Sequence, residues 1–176
     1  RSRYNFGIDE ASHLEYNPVW DYTRRCQMQK ETLTLLNEVN RAIIKFRGIY
    51  SKWSKLHGIS YHEMLVLYTI REKGFCTQKQ ICDSYILPRQ TMNNVITGMR
   101  NNGLLELSSK YSKGREKAFV LSAKGELYAN PLLLSLDTVE SDAVKLLGAN
   151  KLQALTDLLL EYDEALKRAL WEKEQK

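Results

Sequence analysis

Cysteine and histidine are scarce in this 176-residue chain, and each scarcity narrows the chemistry available. The three cysteines, Cys26, Cys76 and Cys82, form no CxxC pair and leave one over, which predicts a reducing cytoplasm rather than a disulfide framework. His13, His57 and His62 are never four residues apart, and HExxH and Cys/His ribbon spacings are absent, so no metal is expected. No apolar run approaches the roughly 18 residues that a membrane span needs, and the first residues lack a signal-peptide core, so no membrane partner is expected. The chain opens at Arg1 without a methionine, as a trimmed form would. Nucleophile elbow, P-loop, Rossmann glycines and metalloprotease helix are all missing, which predicts neither enzyme nor cofactor. Isolated carboxylates such as Glu63 are better explained as helix caps.

What is present is apolar residue enough, at 43%, to bury a core in one or two small domains. Charge is unevenly spread. Residues 77–125 hold eight of the 26 basic residues (Lys79, Arg89, Arg100, Lys110, Lys113, Arg115, Lys117, Lys124) and three of the 21 acids (Asp83, Glu106, Glu116). The whole net charge of +5 therefore lies in that segment, and the rest of the chain is neutral. A contact with a polyanion requires such a local excess.

Within that segment, the pattern from Pro88 to Asn102 predicts one helix with two unlike faces. Met92, Val95, Ile96 and Met99 follow i, i+3, i+4, i+7 spacing and form an apolar stripe. Gln90, Asn93, Asn94, Thr97 and Asn101 share the other side, which carries no acid and is flanked by Arg89 and Arg100. A solvated face would mix Glu with Lys. Amides bond base edges in both directions and arginines hold phosphate or guanine, so this face suits a DNA major groove. A polar surface helix that merely lacks acids is the plainer alternative.

Around it, residues 1–19 show no period and read as an arm, with Tyr4, Phe6, Tyr16 and Trp20 as apolar contacts. A long helix follows to Leu56, its seam of Leu36, Val39, Ile43, Phe46, Tyr50 and Trp53 alternating three and four apart, as a partner helix would require. His57-Gly58 closes it. Ser60 caps the next helix with Glu63 completing a capping box, and Gly74 ends it. Thr77, with Gln80 at N3, caps a short helix carrying Ile81 and Cys82 inward, and Pro88 suits the first position of the helix after it. The period then changes: 104–107 and 118–121 read as strands around a loop holding Gly114 and four cations, a basic wing. Ser122 begins a helix that Pro131 should kink or interrupt. A last helix over 150–172 carries a second seam of Leu152, Leu155, Leu159, Tyr162, Leu166 and Ala169. Residues 137–176 hold six basic and nine acidic groups, so this end is not expected on DNA. The fold class is mainly α with a small β-hairpin wing: a winged helix-turn-helix at 59–125, an arm at 1–19, and helical dimerisation regions at 20–58 and 126–176. Two seams of this length exceed what one small domain covers, which predicts a homodimer.

Residues 60–125 closely resemble the MarR family of transcription regulators. The likeness runs through Thr77-Gln78-Lys79-Gln80-Ile81, Leu87-Pro88-Arg89-Gln90-Thr91, Asn102-Gly103-Leu104-Leu105 and Val120-Leu121-Ser122-Ala123-Lys124-Gly125, and the terminal seams extend it over most of 30–172. The resemblance implies a homodimer that sets two recognition helices and two wings on a palindromic double-stranded operator, most simply as a repressor. Gln90, Thr91, Asn93, Asn94 and Thr97 become base-edge candidates. Arg89, Arg100, Lys110, Lys113 and Lys117 become phosphate contacts, with Lys79 in the same basic segment and Arg115 at the minor groove. One departure concerns the wing, where Lys113 stands in the place of an expected Asp that would orient Arg115.

The family's ligand cleft lies near the junction of the first two helices. Here Arg47, Tyr50, Trp53, His57, Tyr61 and His62 suit a small aromatic effector, with plain core packing as the alternative. Hydroperoxide-sensing relatives use a cysteine in the first helix, but Cys26 lies upstream of the matching place near Leu36, and no cation stands beside Cys76 or Cys82 in the sequence. A redox-sensing regulator and a winged helix used only for protein contact remain the competing functions.

Overall fold

Caps and apolar stripes account for most of the architecture. The structure, a computed structural model, describes residues 18–174 and contains six helices and three strands among them. The arm residues Tyr4, Phe6 and Tyr16 lie outside the described residues, as do His13 and the side chains of Trp20 and Cys26. The chain divides into two units, Arg1–Lys52 and Trp53–Lys176.

Helix α1 spans Pro18–Leu56. In the first unit its stripe is uncovered, with Val39, Ile43, Phe46 and Ile49 all exposed. The helix ends on Gly58, whose φ of 72° needs no Cβ. The Gly58 N–H bonds the Lys55 carbonyl at 3.2 Å and the Ile59 N–H bonds that of Ser54 at 3.1 Å, satisfying two terminal acceptors.

In the second unit, α2 (Tyr61–Lys73) starts at Ser60, whose hydroxyl accepts from the Glu63 N–H at 3.0 Å. The return half of the expected capping box is not made. Glu63 instead accepts from the Tyr128 hydroxyl at 3.0 Å, a tertiary partner that local spacing could not reveal. Helix α3 (Gln78–Tyr85) does carry the full box between Thr77 and Gln80. Helix α4 (Arg89–Asn101) begins one residue later than its sequence suggests: Pro88, with ψ of 131°, is the N-cap and not the first helical residue. No side chain caps it.

The core gathers Val66, Leu67 and Ile70 from α2, Ile81 and Cys82 from α3, and Met92, Ile96 and Met99 from α4. Leu104, Leu105, Phe119 and, from the following helix, Ala129 and Leu133 close it. Each Val, Leu, Ile, Met or Phe among them contributes roughly 1.5–3 kcal/mol by leaving water.

The sheet has the order β1-β3-β2, antiparallel throughout, with β1 at Cys76–Thr77, β2 at Leu105–Lys113 and β3 at Glu116–Leu121. Strand β1, at two residues, is too short to show a period in the sequence. The hairpin is longer than 104–107 and 118–121 suggested. Its register breaks between Ser108↔Ala118 and Lys113↔Glu116, and Ser112 Oγ stitches the break. That hydroxyl donates to the Ser108 carbonyl at 2.6 Å and accepts from the Ala118 N–H at 3.0 Å.

Helix α5 (Ala123–Leu147) is capped by Ser122 and holds Pro131 without interruption. Both Pro131 and Leu127, whose carbonyl the proline leaves unbonded, are exposed, so solvent can take the place of the missing donor. A domain boundary after 125 cuts through this helix, and Ala129 and Leu133 belong to the winged-helix core. Helix α6 (Ala149–Glu174) leaves Leu152, Leu155, Leu159 and Leu166 exposed. Among the described residues, no helix is long and apolar enough to cross a membrane.

Candidate nucleic-acid interface

Burial sorts α4 as its spacing predicts. Met92, Ile96 and Met99 are buried and Val95 is half-buried, so Gln90, Asn93, Asn94, Thr97 and Asn101 are turned outward. Thr91 sits at the border, half-buried. Gln90 Nε2 donates to Asn94 Oδ1 at 2.9 Å, so two of the base-edge candidates satisfy each other in the free protein. The helix entry is held by Gln78, whose amide donates to the Arg89 carbonyl at 2.7 Å from α3.

Between α4 and the wing runs an open groove. It is lined by Lys79, Arg89, Asn93, Thr97, Arg100, Arg115 and Lys117, with Gln78, Ile96, Glu116 and Phe119 completing it. Seven of the twelve residues proposed from sequence thus share one concavity. The guanidinium of Arg100 lies 5.4 Å from the centre of the Phe119 ring, a cation–π contact that steadies it at the groove wall. Lys79 reaches Asp83 at 2.5 Å, and that hydrogen bond, with the charge behind it, raises the lysine's pKa and keeps it cationic.

Lys110 and Lys113 are not in this groove. Lys110 Nζ sits 4.8 Å over the Tyr111 ring. Lys113 lines a second groove on the α3 side with Phe75, Tyr111, Asp83 and Glu116. Sequence reading missed Gln78, Phe75 and Glu116. A glutamine next to a cap, an aromatic beside a two-residue strand and one acid among cations give no periodic signal.

The profile of the winged helix DNA-binding domain matches residues 59–125. No curated protein matches the chain. Among solved structures it is similar to NMB1585, a MarR family regulator from Neisseria meningitidis, at 25% identity over 79% of this chain and 98% of that one, with a TM-score of 0.72. It is also similar in fold to a MarR family protein from Listeria monocytogenes complexed with 26mer DNA (18% identity, 74% and 87% covered, TM-score 0.59). A third likeness is to NadR in complex with 4-hydroxyphenylacetate (19% identity, 70% and 91% covered, TM-score 0.61). The chain carries a winged helix DNA-binding domain and is similar in fold to MarR family regulators. Among the described residues Arg115 has no ion-pair partner at the hairpin turn.

The ligand-binding candidates fall in both units. In the first, Arg47 is exposed and Tyr50 meets the Phe46 ring edge-on at 5.5 Å. In the second, His57 stacks on the buried Trp53 ring at 4.2 Å. The His57 Nδ1 lies 2.9 Å from the Trp53 carbonyl, which only accepts, so Nδ1 carries the proton and Nε2 takes a hydrogen bond from Ser135 at 3.0 Å in the neutral ring. Tyr61 and His62 pack edge-on at 6.0 Å. The indole N–H of Trp53 is buried and has no hydrogen-bond partner among the described residues. Cys76 and Cys82 are free and buried. Burial pushes the Cys76 thiol up to about 12 and also raises Cys82, the reverse of what a reactive thiolate needs.

Proposed function

We propose that this protein is a cytoplasmic transcriptional regulator, a repressor, that binds a palindromic double-stranded operator as a homodimer. The observation that carries the reading is the groove beside α4, where an acid-free amide face adjoins Lys79, Arg89, Arg100, Arg115 and Lys117. Asn93, Asn94, Gln90 and Thr97 read base edges, Thr91 supports them from the border of the face, and the cations, with Lys110 and Lys113 on the outer wing, hold phosphate. Arg115 at the hairpin turn enters the minor groove. The uncovered seams of α1 and α6 are the surfaces through which two protomers join. No enzyme activity is assigned.

Selection of bound fragments from random DNA tests this directly. The expected product is an inverted repeat whose half-sites lie about one helical turn, roughly 34 Å, apart. A single half-site, or no enrichment, contradicts the dimeric reader.

Control by a small aromatic acid or phenol is supported by the unpartnered indole N–H of Trp53, a buried donor that an acceptor on such a ligand would satisfy. Ligands of this class should weaken operator binding by the wild type and not by Trp53→Phe. A broad panel that leaves affinity unchanged removes the effector from the account.

A further inference from the structure

Glu116 is the one acid among the residues that line the groove beside α4. It follows Arg115 at the hairpin turn, where a carboxylate repels any approaching phosphate. An acid at such a position weakens binding to every duplex, so its presence calls for a separate task.

Its partner reveals that task. The Thr77 hydroxyl donates to Glu116 Oε1, while Thr77 Oγ1 itself accepts from the Gln80 N–H at 3.0 Å. One side chain therefore joins the N-terminus of α3 to the far end of the wing. A second contact runs alongside. The Phe75 and Tyr111 rings stack at 4.4 Å and only 6° from parallel. Phe75 and Thr77 lie two residues apart, on one side of an extended segment, and they grip both hairpin strands, Tyr111 on β2 and Glu116 on β3.

The backbone alone does not hold this region. Strand β1 reaches β3 only as far as Thr77↔Ala118, and the β2–β3 ladder is broken between Ser108 and Lys113. Beyond that break the tip is a two-stranded ribbon, which twists readily.

We infer that Glu116 and Tyr111 are positioning residues: the side-chain clasp from Thr77 and Phe75 sets the angle of the wing and so the reach of Arg115. The inference rests on the DNA-binding reading above. It also accounts for Lys113 in the place of the expected Asp. Lys113 pairs across the hairpin with Glu116. The acid stands on the opposite strand and fixes the wing as a body, not the arginine.

Two pairs of variants test the clasp. Glu116→Gln removes the charge but keeps an acceptor for Thr77, whereas Glu116→Ala removes both. Tyr111→Phe keeps the stack, and Tyr111→Leu removes it. On the selected operator and on random duplex at fixed salt, both Glu116 variants should gain affinity for random duplex. Only Glu116→Ala and Tyr111→Leu should lose specific-to-random preference, by about fivefold, the order of one ordinary hydrogen bond. In the free protein, amide exchange over residues 113–117 should quicken in the same two variants and not in the conservative pair. Equal preference and equal exchange across each pair overturn the clasp. A preference that changes without any change in exchange makes Glu116 a direct contact and overturns it too. If the wild type binds no duplex, the DNA-binding reading fails, and the exchange comparison still decides the clasp.

Discussion

Gln90 and Asn94 must exchange their mutual 2.9 Å hydrogen bond for base edges when α4 enters a groove, so their contribution to binding is a difference between two partners. Asn94→Ala should therefore relax sequence preference by roughly 1–3 kcal/mol, whereas Lys113→Ala should weaken specific and random duplex about equally. Competition binding against single-base operator variants separates the two, and equal losses on every duplex for both would mean the roles are misassigned. Ile86 raises a different point. This β-branched residue caps α3 at φ of 51° with 92% of its surface exposed, a backbone region that disfavours it. Ile86→Gly relieves the strain and forfeits little burial, so thermal unfolding should show a gain of roughly 0.5–1 kcal/mol after the added entropy of the unfolded chain. Gly125 is the opposite case. A Cβ there would stand 2.0 Å from the Leu104 carbonyl oxygen, which explains a glycine in the first turn of α5.

At the scale of elements, the sequence was most legible where one residue's chemistry decides a boundary. Ser60, Thr77 and Ser122 each cap a helix through a hydroxyl that accepts an N–H three residues on. The stripe of Met92, Ile96 and Met99 needed only its spacing. Features set by tertiary partners were not legible. Glu63 turns to Tyr128, β1 exists because β3 lies beside it, and the Ser112 stitch lengthens the wing. Of the site, the amide face and the cations of the groove could be read from types and spacing. The division of the wing lysines between two grooves could not, because the bulge resets which way each residue of β2 points. Pro131 shows local rules yielding to context. It sits inside α5 and leaves one acceptor to solvent, so Pro131→Ala should restore a hydrogen bond and raise stability by about 1–3 kcal/mol in urea denaturation. Lower stability would show that the ring's packing outweighs the missing bond.

For the whole molecule, charge and apolar surface are segregated. The net charge of +5 is confined to 77–125, while α1 and α6 carry uncovered stripes. In α6, Leu152, Leu155, Leu159 and Leu166 remain exposed at three-and-four spacing, a seam that a second protomer would cover. Leu159→Glu should give a monomer by light scattering and lose operator affinity without losing helical content. A dimer that survives the change would locate the interface elsewhere.

The most direct test of the central claim is the affinity for a short duplex measured across a series of salt concentrations. Each phosphate met by one of the wing or α4 cations contributes about −0.9 to the slope of log affinity against log salt, so two protomers should give a steep negative slope of several units. A flat response, or no binding at low ionic strength, would contradict the assignment of the α4 groove to DNA.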